Sequence, residues 1–184
     1  MISNLELLAT FFGFIYIVLI ILKKPLGWVF GVLSSLLFVQ ISWESNLYIQ
    51  MTLNGIYVIM GVIGFIRWNK IDSKRRNLSK NQKILIYILG IAFSFTLGFA
   101  MSYTNQALPY LDSFISIFGI VATYLTTEKH IENWIIWLFV NLSSIILFAH
   151  QELYLSACLF GAYLLLSIIG LISWNKEKIR ENTN

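Results

Sequence analysis

The fold of this chain is decided by residues 128–141, Glu128-Lys129-His130-Ile131-Glu132-Asn133-Trp134-Ile135-Ile136-Trp137-Leu138-Phe139-Val140-Asn141. A short charged turn runs directly into an apolar segment. If residues 133–149 form a membrane helix, Trp134, Trp137 and Asn141 share one face because of their spacing. An Asn side chain in hydrocarbon costs free energy without a partner, so this face is predicted to look into protein or a cavity. The alternative for Trp134 is an aromatic anchor at the membrane boundary, where Trp is enriched.

The composition places the chain in a membrane. It has 184 residues, of which 58% are hydrophobic and 12% charged, and its mean hydropathy is +0.74. These values exclude a soluble domain, and the net charge of +4 then reflects charged loops rather than binding to nucleic acid. The single Cys158 excludes an internal disulfide framework. The N-terminus has no basic region before its first apolar run, which predicts a retained span rather than a signal peptide.

Seven apolar segments are each near the length needed to cross about 30 Å of hydrocarbon. They are residues 5–22, 27–43, 47–66, 84–101, 110–127, 133–149 and 153–173. Because backbone polar groups in lipid must be satisfied within the segment, these segments predict an all-α integral membrane protein with seven transmembrane helices.

The basic residues predict the orientation of these spans. All 13 Lys and Arg fall on one side of the predicted membrane. They are Lys23, Lys24, Arg67, Lys70, Lys74, Arg75, Arg76, Lys80, Lys83, Lys129, Lys176, Lys178 and Arg180. The charged residues on the other predicted side are all acidic, namely Glu6, Glu44, Asp112 and Glu152. The positive-inside rule then predicts an external N-terminus and a cytoplasmic C-terminus.

The chain also repeats itself at an offset of 106 positions. The matches include Phe12-Gly13 with Phe118-Gly119, Lys23 with Lys129, Trp28 with Trp134, Tyr57 with Tyr163, and Trp68-Asn69-Lys70 with Trp174-Asn175-Lys176. The repeated unit is three spans long, and the fourth span has no counterpart. One linker span between the units keeps them in the same orientation, so a 3+1+3 parallel repeat is predicted. The predicted divisions are a first three-helix repeat at 1–78, a linker helix at 79–107 and a second repeat at 108–184.

These motifs resemble the PnuC family of vitamin transporters, best known for nicotinamide riboside, over essentially the whole chain. The residues that carry the resemblance are Leu111-Asp112, Thr123-Tyr124-Leu125, Glu132-Asn133-Trp134 with Trp137 and Asn141, Leu153-Tyr154 and Gly170 with Trp174, together with Trp28, Gly31, Leu47-Tyr48, Gly64 and Trp68. The chain has Gln50 and Asn54 where the family usually has an acid and a Gln, Thr123 where Gln is common, and Phe65 where Trp is common. The resemblance implies the 3+1+3 layout of SWEET-type carriers and uptake of a vitamin of this kind, with thiamine or riboflavin as the alternative cargo.

Nicotinamide riboside is a flat pyridinium cation with a carboxamide and a ribose, so its site needs aromatic faces and polar groups. A parallel-repeat carrier is expected to bind its substrate near the midplane between the two units. The candidate aromatic residues are Trp134, Trp137 and Tyr124, and the candidate hydrogen-bonding residues are Asn141, Asn54, Thr123 and Gln50. The alternatives are helix packing for the aromatic rings and interhelical hydrogen bonding for the amides.

The predicted span interiors contain no Lys, Arg, Asp, Glu or His. Because a proton-coupled carrier needs a titratable relay in the membrane, facilitated diffusion is the simplest mechanism, although sodium coupling stays open. The resemblance implies that phosphorylation of the vitamin in the cytosol maintains the vitamin gradient that drives uptake. A membrane enzyme is a distant alternative, because His130 and His150 are predicted on opposite sides. No cofactor or metal is expected; the expected partners are the vitamin and membrane lipid, and a homo-oligomer is left open.

Two acidic residues occupy equivalent repeat positions at the predicted outer side. Glu6 and Asp112 are 106 positions apart, each near the start of its span. The helix macrodipole favours an anion there, so helix stability alone would explain them. Their paired placement also predicts an outer mouth with a negative potential that concentrates a cationic vitamin.

Overall fold

The computed structural model describes residues 4–44, 48–70, 77–104 and 108–183, and seven helices run through them. They are α1 (Asn4–Ile21), α2 (Leu26–Glu44), α3 (Tyr48–Lys70), α4 (Lys80–Met101), α5 (Pro109–Thr127), α6 (Glu132–His150) and α7 (Tyr154–Thr183). Each contains a stretch long and apolar enough to cross a membrane. The predicted seven spans are confirmed, since each coincides with one helix.

The largest difference from the predicted bounds is at the end of α7. This helix has 30 residues and continues to Thr183, about three turns beyond the predicted limit of the last span. Hydropathy marks the end of the hydrocarbon layer and not the end of the helix. Lys, Glu and Arg, which are frequent in residues 176–181, are good helix formers in water. The polar end of α7 is therefore helical although it is too polar to lie in lipid.

The helices fall into two units, Met1–Lys74 and Arg75–Asn184. In the first unit α2 packs against both α1 and α3. In the second unit α4 contacts α5, α5 contacts α6, and α6 contacts α7. The predicted linker helix corresponds to α4, and its Gly90 and Gly98 lie directly against the side chains of Phe118 and Tyr110. Since small residues let two backbones approach closely, α4 is a packed member of the second unit.

Both units contain the same aromatic packing motif, in which a buried Trp ring covers a Gly and meets a second Trp edge-on. We call it the Trp–Gly–Trp cluster; its members are Trp28, Gly64 and Trp68 in the first unit and Trp134, Gly170 and Trp174 in the second. The ring centroids lie 5.6 Å apart at 86° in the first cluster and 5.4 Å apart at 85° in the second. Edge-to-face contact is a favoured arrangement of aromatic rings. The two clusters are related by the offset of 106 positions seen in the sequence.

The turn after the first helix of each repeat is also the same. Lys23 and Lys129 both adopt the left-handed region with φ of 58°. The amide of each donates to the carbonyl three residues earlier, at 3.0 and 3.1 Å, and the following amide donates to the carbonyl five residues earlier, at 2.8 and 2.9 Å. This is a Schellman motif with Lys in place of the usual Gly. The repeat therefore extends to backbone hydrogen bonds, while the parallel, SWEET-like relation of the units stays a prediction.

Replacing the cluster glycines is expected to destabilise the protein. A Cβ at Gly64 would lie 2.5 Å from ring atoms of Trp28, and a Cβ at Gly170 would lie 2.6 Å from those of Trp134. Because both rings are almost fully buried, they have little room to move, and overpacking of this kind typically costs about 1–3 kcal/mol. We expect Gly64→Ala and Gly170→Ala to lower the thermal unfolding midpoint of the purified protein in detergent.

The matched controls are Gly55→Ala and Gly161→Ala, a second pair related by the repeat. A Cβ at either position meets no heavy atom within 4 Å. Since Ala is favoured over Gly inside a helix by about 0.5–1 kcal/mol, the midpoint of these variants should hold or rise. Equal midpoints for all four variants would show that the clusters do not limit stability.

Candidate functional site

Three of the predicted site residues, Trp134, Trp137 and Asn141, lie on α6, which follows the charged turn at residues 128–131. Trp134 and Asn141 are buried, at 1% and 2% exposure, whereas Trp137 is half-buried. Both buried residues contact α7, through Trp174 and Ser167 respectively. The face of α6 that carries Trp134, Trp137 and Asn141 therefore looks into protein, as predicted. Helix α7 covers this face at Trp134 and Asn141.

The Trp134 ring is the centre of the second Trp–Gly–Trp cluster. It is enclosed in the interior of the unit, which does not fit the alternative of an anchor at the lipid boundary. Its Nε1–H has no hydrogen-bond partner among the described residues, and the same holds for Trp28. Since the two rings are related by the repeat, this shared feature follows from the packing of the cluster. The structure thus gives Trp134 a packing role between α6 and α7.

Asn141 forms a hydrogen bond between helices. Its Nδ2 donates to Ser167 Oγ at 3.0 Å, and Ser167 Oγ in turn donates to the carbonyl oxygen of Tyr163 at 2.8 Å. Ser167 is fully buried. The predicted partner of the amide is therefore a side chain of α7, and Asn141 joins α6 to α7 in the way polar residues join membrane helices.

Trp137 differs from its two neighbours in the motif because it packs against an apolar cluster in which α5 residues take part. The cluster consists of Leu78, Phe118, Ala122, Leu125, Ile136 and Val140. Part of the Trp137 indole remains accessible. Of the three motif residues, Trp137 is therefore the one that the protein does not fully enclose.

The α5 pair lies in the same unit. Tyr124 is 50% exposed, whereas Thr123 is 5% exposed and its hydroxyl donates to the carbonyl oxygen of Gly119 at 2.9 Å. Tyr124 therefore offers an accessible aromatic ring, and Thr123 is engaged within its own helix.

The two predicted amides of the first unit lie one turn apart on α3. Asn54 Nδ2 donates to the carbonyl oxygen of Gln50 at 2.9 Å, and the Gln50 side chain is exposed. The two acidic residues of the predicted outer mouth, Glu6 and Asp112, lie in the first turns of α1 and α5. That position fits stabilisation by the helix macrodipole as well as a negative mouth.

An apolar pocket of about 210 Å³ lies among α4, α5 and α6 of the second unit. It is lined by Tyr87, Ile91, Phe114, Phe118, Ile135, Ile136 and Phe139. The Tyr87 hydroxyl is the sole polar side-chain group of this lining. A cationic vitamin with a ribose needs several hydrogen-bonding groups, so this pocket does not match it.

Glu132, the first residue of α6, belongs to the motif but is not among the predicted site residues. Its side chain is only 5% exposed, and its Oε1 accepts from Lys83 Nζ at 2.7 Å and from the Leu78 backbone N–H at 3.2 Å. The repeat indicates that this position differs between the two units, because the residue equivalent to Glu132 in the first unit is Leu26. A carboxylate that replaces an apolar residue of the repeat indicates a contact found in one unit only.

The described residues contain no group of three or more His, Cys, Asp or Glu that would hold a metal ion. His130 precedes α6 and His150 ends it. A helix of 19 residues is about 28 Å long, which keeps the two imidazoles apart as predicted.

Comparison with known proteins agrees with this architecture. The sequence model of the nicotinamide mononucleotide transporter family matches residues 3–176. The nicotinamide riboside transporter PnuC of Escherichia coli is 24% identical, over 92% of this chain and 82% of that protein. The PnuC of Neisseria mucosa is 28% identical, over 95% of this chain and 73% of that protein.

A solved structure is also similar. A crystal structure of the vitamin B3 transporter PnuC superposes with a TM-score of 0.78 at 26% identity, covering 96% of this chain and 82% of that one. The family model, the relatives and the solved structure thus agree over nearly the whole chain, as do the sequence motifs. The chain belongs to the nicotinamide mononucleotide transporter family, and its resemblance to the PnuC transporters is confirmed.

Proposed function

We propose that this protein is a multi-pass inner-membrane carrier that takes up nicotinamide riboside by facilitated diffusion. The observation that carries the proposal is the likeness, over more than nine-tenths of the chain, to relatives that transport nicotinamide riboside. These relatives are transporters, so the enzyme alternative is set aside.

The accessible aromatic surfaces suit a flat cation. Trp137 and Tyr124 are proposed to face the pyridinium ring, since a desolvated cation–π contact contributes about 2 kcal/mol or more. Gln50 and Asn54 of the first unit are proposed to supply hydrogen bonds, whereas Thr123 is buried and its hydroxyl is engaged within α5. Trp134 and Asn141 act in this scheme by holding α6 against α7, which fixes the part of the helix that carries Trp137.

Facilitated diffusion is supported by the positions of the charged residues. Glu6, Lys83, Asp112 and Glu132 lie in the first turns of their helices, and Arg67 lies in the last turn of α3. A proton relay needs titratable groups at the depth of the bilayer centre. With these charges kept to the ends of the apolar stretches, the simplest mechanism moves the vitamin down its own gradient.

The cargo is tested by binding and uptake. We expect nicotinamide riboside to raise the thermal midpoint of the purified protein, because a ligand at about one hundred times its Kd stabilises by about 2.7 kcal/mol. Labelled nicotinamide riboside should also enter vesicles that contain the protein, with no imposed ion gradient. Thiamine, riboflavin and the phosphates of all three vitamins form the comparison panel. Stabilisation and uptake with thiamine or riboflavin alone would reassign the cargo.

Trp137→Leu is expected to lower uptake more than tenfold, since it removes the π surface and keeps an apolar side chain. A loss of about 2 kcal/mol in cation binding corresponds to about a thirtyfold change in affinity. Uptake in vesicles and the thermal midpoint are measured on the same preparation.

Two further replacements of Trp by Leu separate binding from packing. Trp43→Leu is the control, because the side chain of Trp43 is 62% exposed near the end of α2. Uptake by this variant should match the wild type. Trp134→Leu should instead lose thermal stability, because it empties the centre of the second Trp–Gly–Trp cluster. Wild-type uptake by Trp137→Leu would make Trp137 a packing residue and place the site elsewhere.

The orientation is proposed from the charge distribution, with the N-terminus outside and the C-terminus in the cytoplasm. Reporter fusions after Gln106 and after Asn184 follow four and seven spans respectively. They should therefore report opposite compartments, the second of them the cytoplasm. Two fusions in one compartment would contradict the proposed arrangement of spans.

A further inference from the structure

Glu132 joins three segments of the second unit. Through Oε1 it binds the backbone N–H of Leu78, just before α4, and the ammonium of Lys83 in the first turn of α4. Glu132 itself begins α6. One carboxylate thus ties the entry to α4, α4 itself and the start of α6 together.

Three interactions favour the buried carboxylate of Glu132, although Oε2 has no hydrogen-bond partner among the described residues. An anion in the first turn of a helix is stabilised by the helix macrodipole, and Lys83 and the Leu78 amide supply a charge and a hydrogen bond. The pair is asymmetric, because the Lys83 side chain is 39% exposed while that of Glu132 is 5% exposed. Loss of the lysine would leave a carboxylate without its cation in a buried place, whereas loss of the carboxylate leaves a lysine that water can solvate.

The repeat indicates what this contact is for. Leu26, the equivalent residue at the start of α2, is 54% exposed. The described residues of the first unit, 4–44 and 48–70, include no helix equivalent to α4, and the position of the carboxylate is occupied by Leu26. The carboxylate therefore occurs in the unit where an additional helix has to be held.

We propose that Glu132 is a positioning residue of the carrier, which fastens α4 to the start of α6 and so sets the place of Trp137. Trp137 follows five residues later, about 7.5 Å along the helix axis. Trp137 also packs against the cluster that contains Leu78, the residue whose amide binds Glu132. A shift of the Leu78 segment therefore reaches the Trp137 ring by two routes. One route runs through Glu132 and along α6, and the other runs through this apolar cluster.

The test uses four single variants and one double variant of the full chain. Glu132→Gln removes the charge but keeps an oxygen that accepts from Leu78. Lys83→Met removes the cation, and Lys83→Arg keeps it. Lys80→Met is the matched control, because Lys80 is an exposed residue one turn earlier on the same helix. The double variant Glu132→Gln with Lys83→Met measures the coupling between the two side chains.

Hydrogen–deuterium exchange of the peptide that covers residues 77–83 reports the attachment directly. We expect exchange there to be about tenfold faster in Lys83→Met and to rise less in Glu132→Gln. Lys83→Arg and Lys80→Met should match the wild type. The double variant should resemble Glu132→Gln alone, because the carboxylate that needs the cation is then gone. Exchange in residues 77–83 that is the same in all variants would overturn the attachment.

Binding of nicotinamide riboside separates positioning from a general effect on stability, and this part rests on the proposed function. In Glu132→Gln we expect about a fivefold weaker affinity with an unchanged number of binding sites per folded protein. Lys83→Arg keeps the cation and should therefore bind nicotinamide riboside with wild-type affinity. If Glu132→Gln and Lys83→Met bind with wild-type affinity and differ from the wild type only in a smaller folded fraction, the positioning role is overturned. If nicotinamide riboside does not bind the wild type, the proposed function fails, and the exchange data still decide whether Glu132 holds α4.

Discussion

Close packing at small residues is the constraint on which this structure depends. Lipid tails are as apolar as Leu, so membrane helices gain little from hiding apolar surface against one another. They associate instead through van der Waals contact and interhelical hydrogen bonds. Here the contact is made where Gly64 and Gly170 receive Trp28 and Trp134, so each Trp ring sits directly on the backbone of a neighbouring helix.

Interhelical hydrogen bonds add to this packing in both units. In the first unit the Ser34 hydroxyl donates to the Ala9 carbonyl oxygen at 2.8 Å, which joins α2 to α1. In the second unit Asn141 and Ser167 join α6 to α7. These two bonds are not related by the repeat, whereas the Trp–Gly–Trp clusters are. Duplication has therefore kept the packing of large rings and has allowed the polar contacts to differ.

The motif on α6 combines residues that hold the helix in place with one residue, Trp137, that is only half-buried. Trp134 and Asn141 bind α6 to α7, and Glu132 binds its first turn to α4. Trp137 has accessible ring surface, and so does Tyr124 on the neighbouring helix. The neighbours of Trp137 therefore hold the helix that carries its ring, as the proposed contact with a cation requires. The same reasoning explains why so short a stretch of sequence contains so many polar and aromatic residues.

The sequence by itself determined the seven helices and the repeat of 106 positions. A bilayer demands long apolar segments, and duplication leaves Trp and Gly at matched positions that chance does not provide. Which neighbour each motif residue contacts was decided only by the tertiary structure. Spacing along α6 puts Trp134, Trp137 and Asn141 on one face, but it does not say that α7 covers two of them. The partner of Glu132 lies 49 positions earlier in the chain, at Lys83, because α4 folds back along α5. Periodicity within one helix contains no information about such a contact, which depends on how separate helices pack.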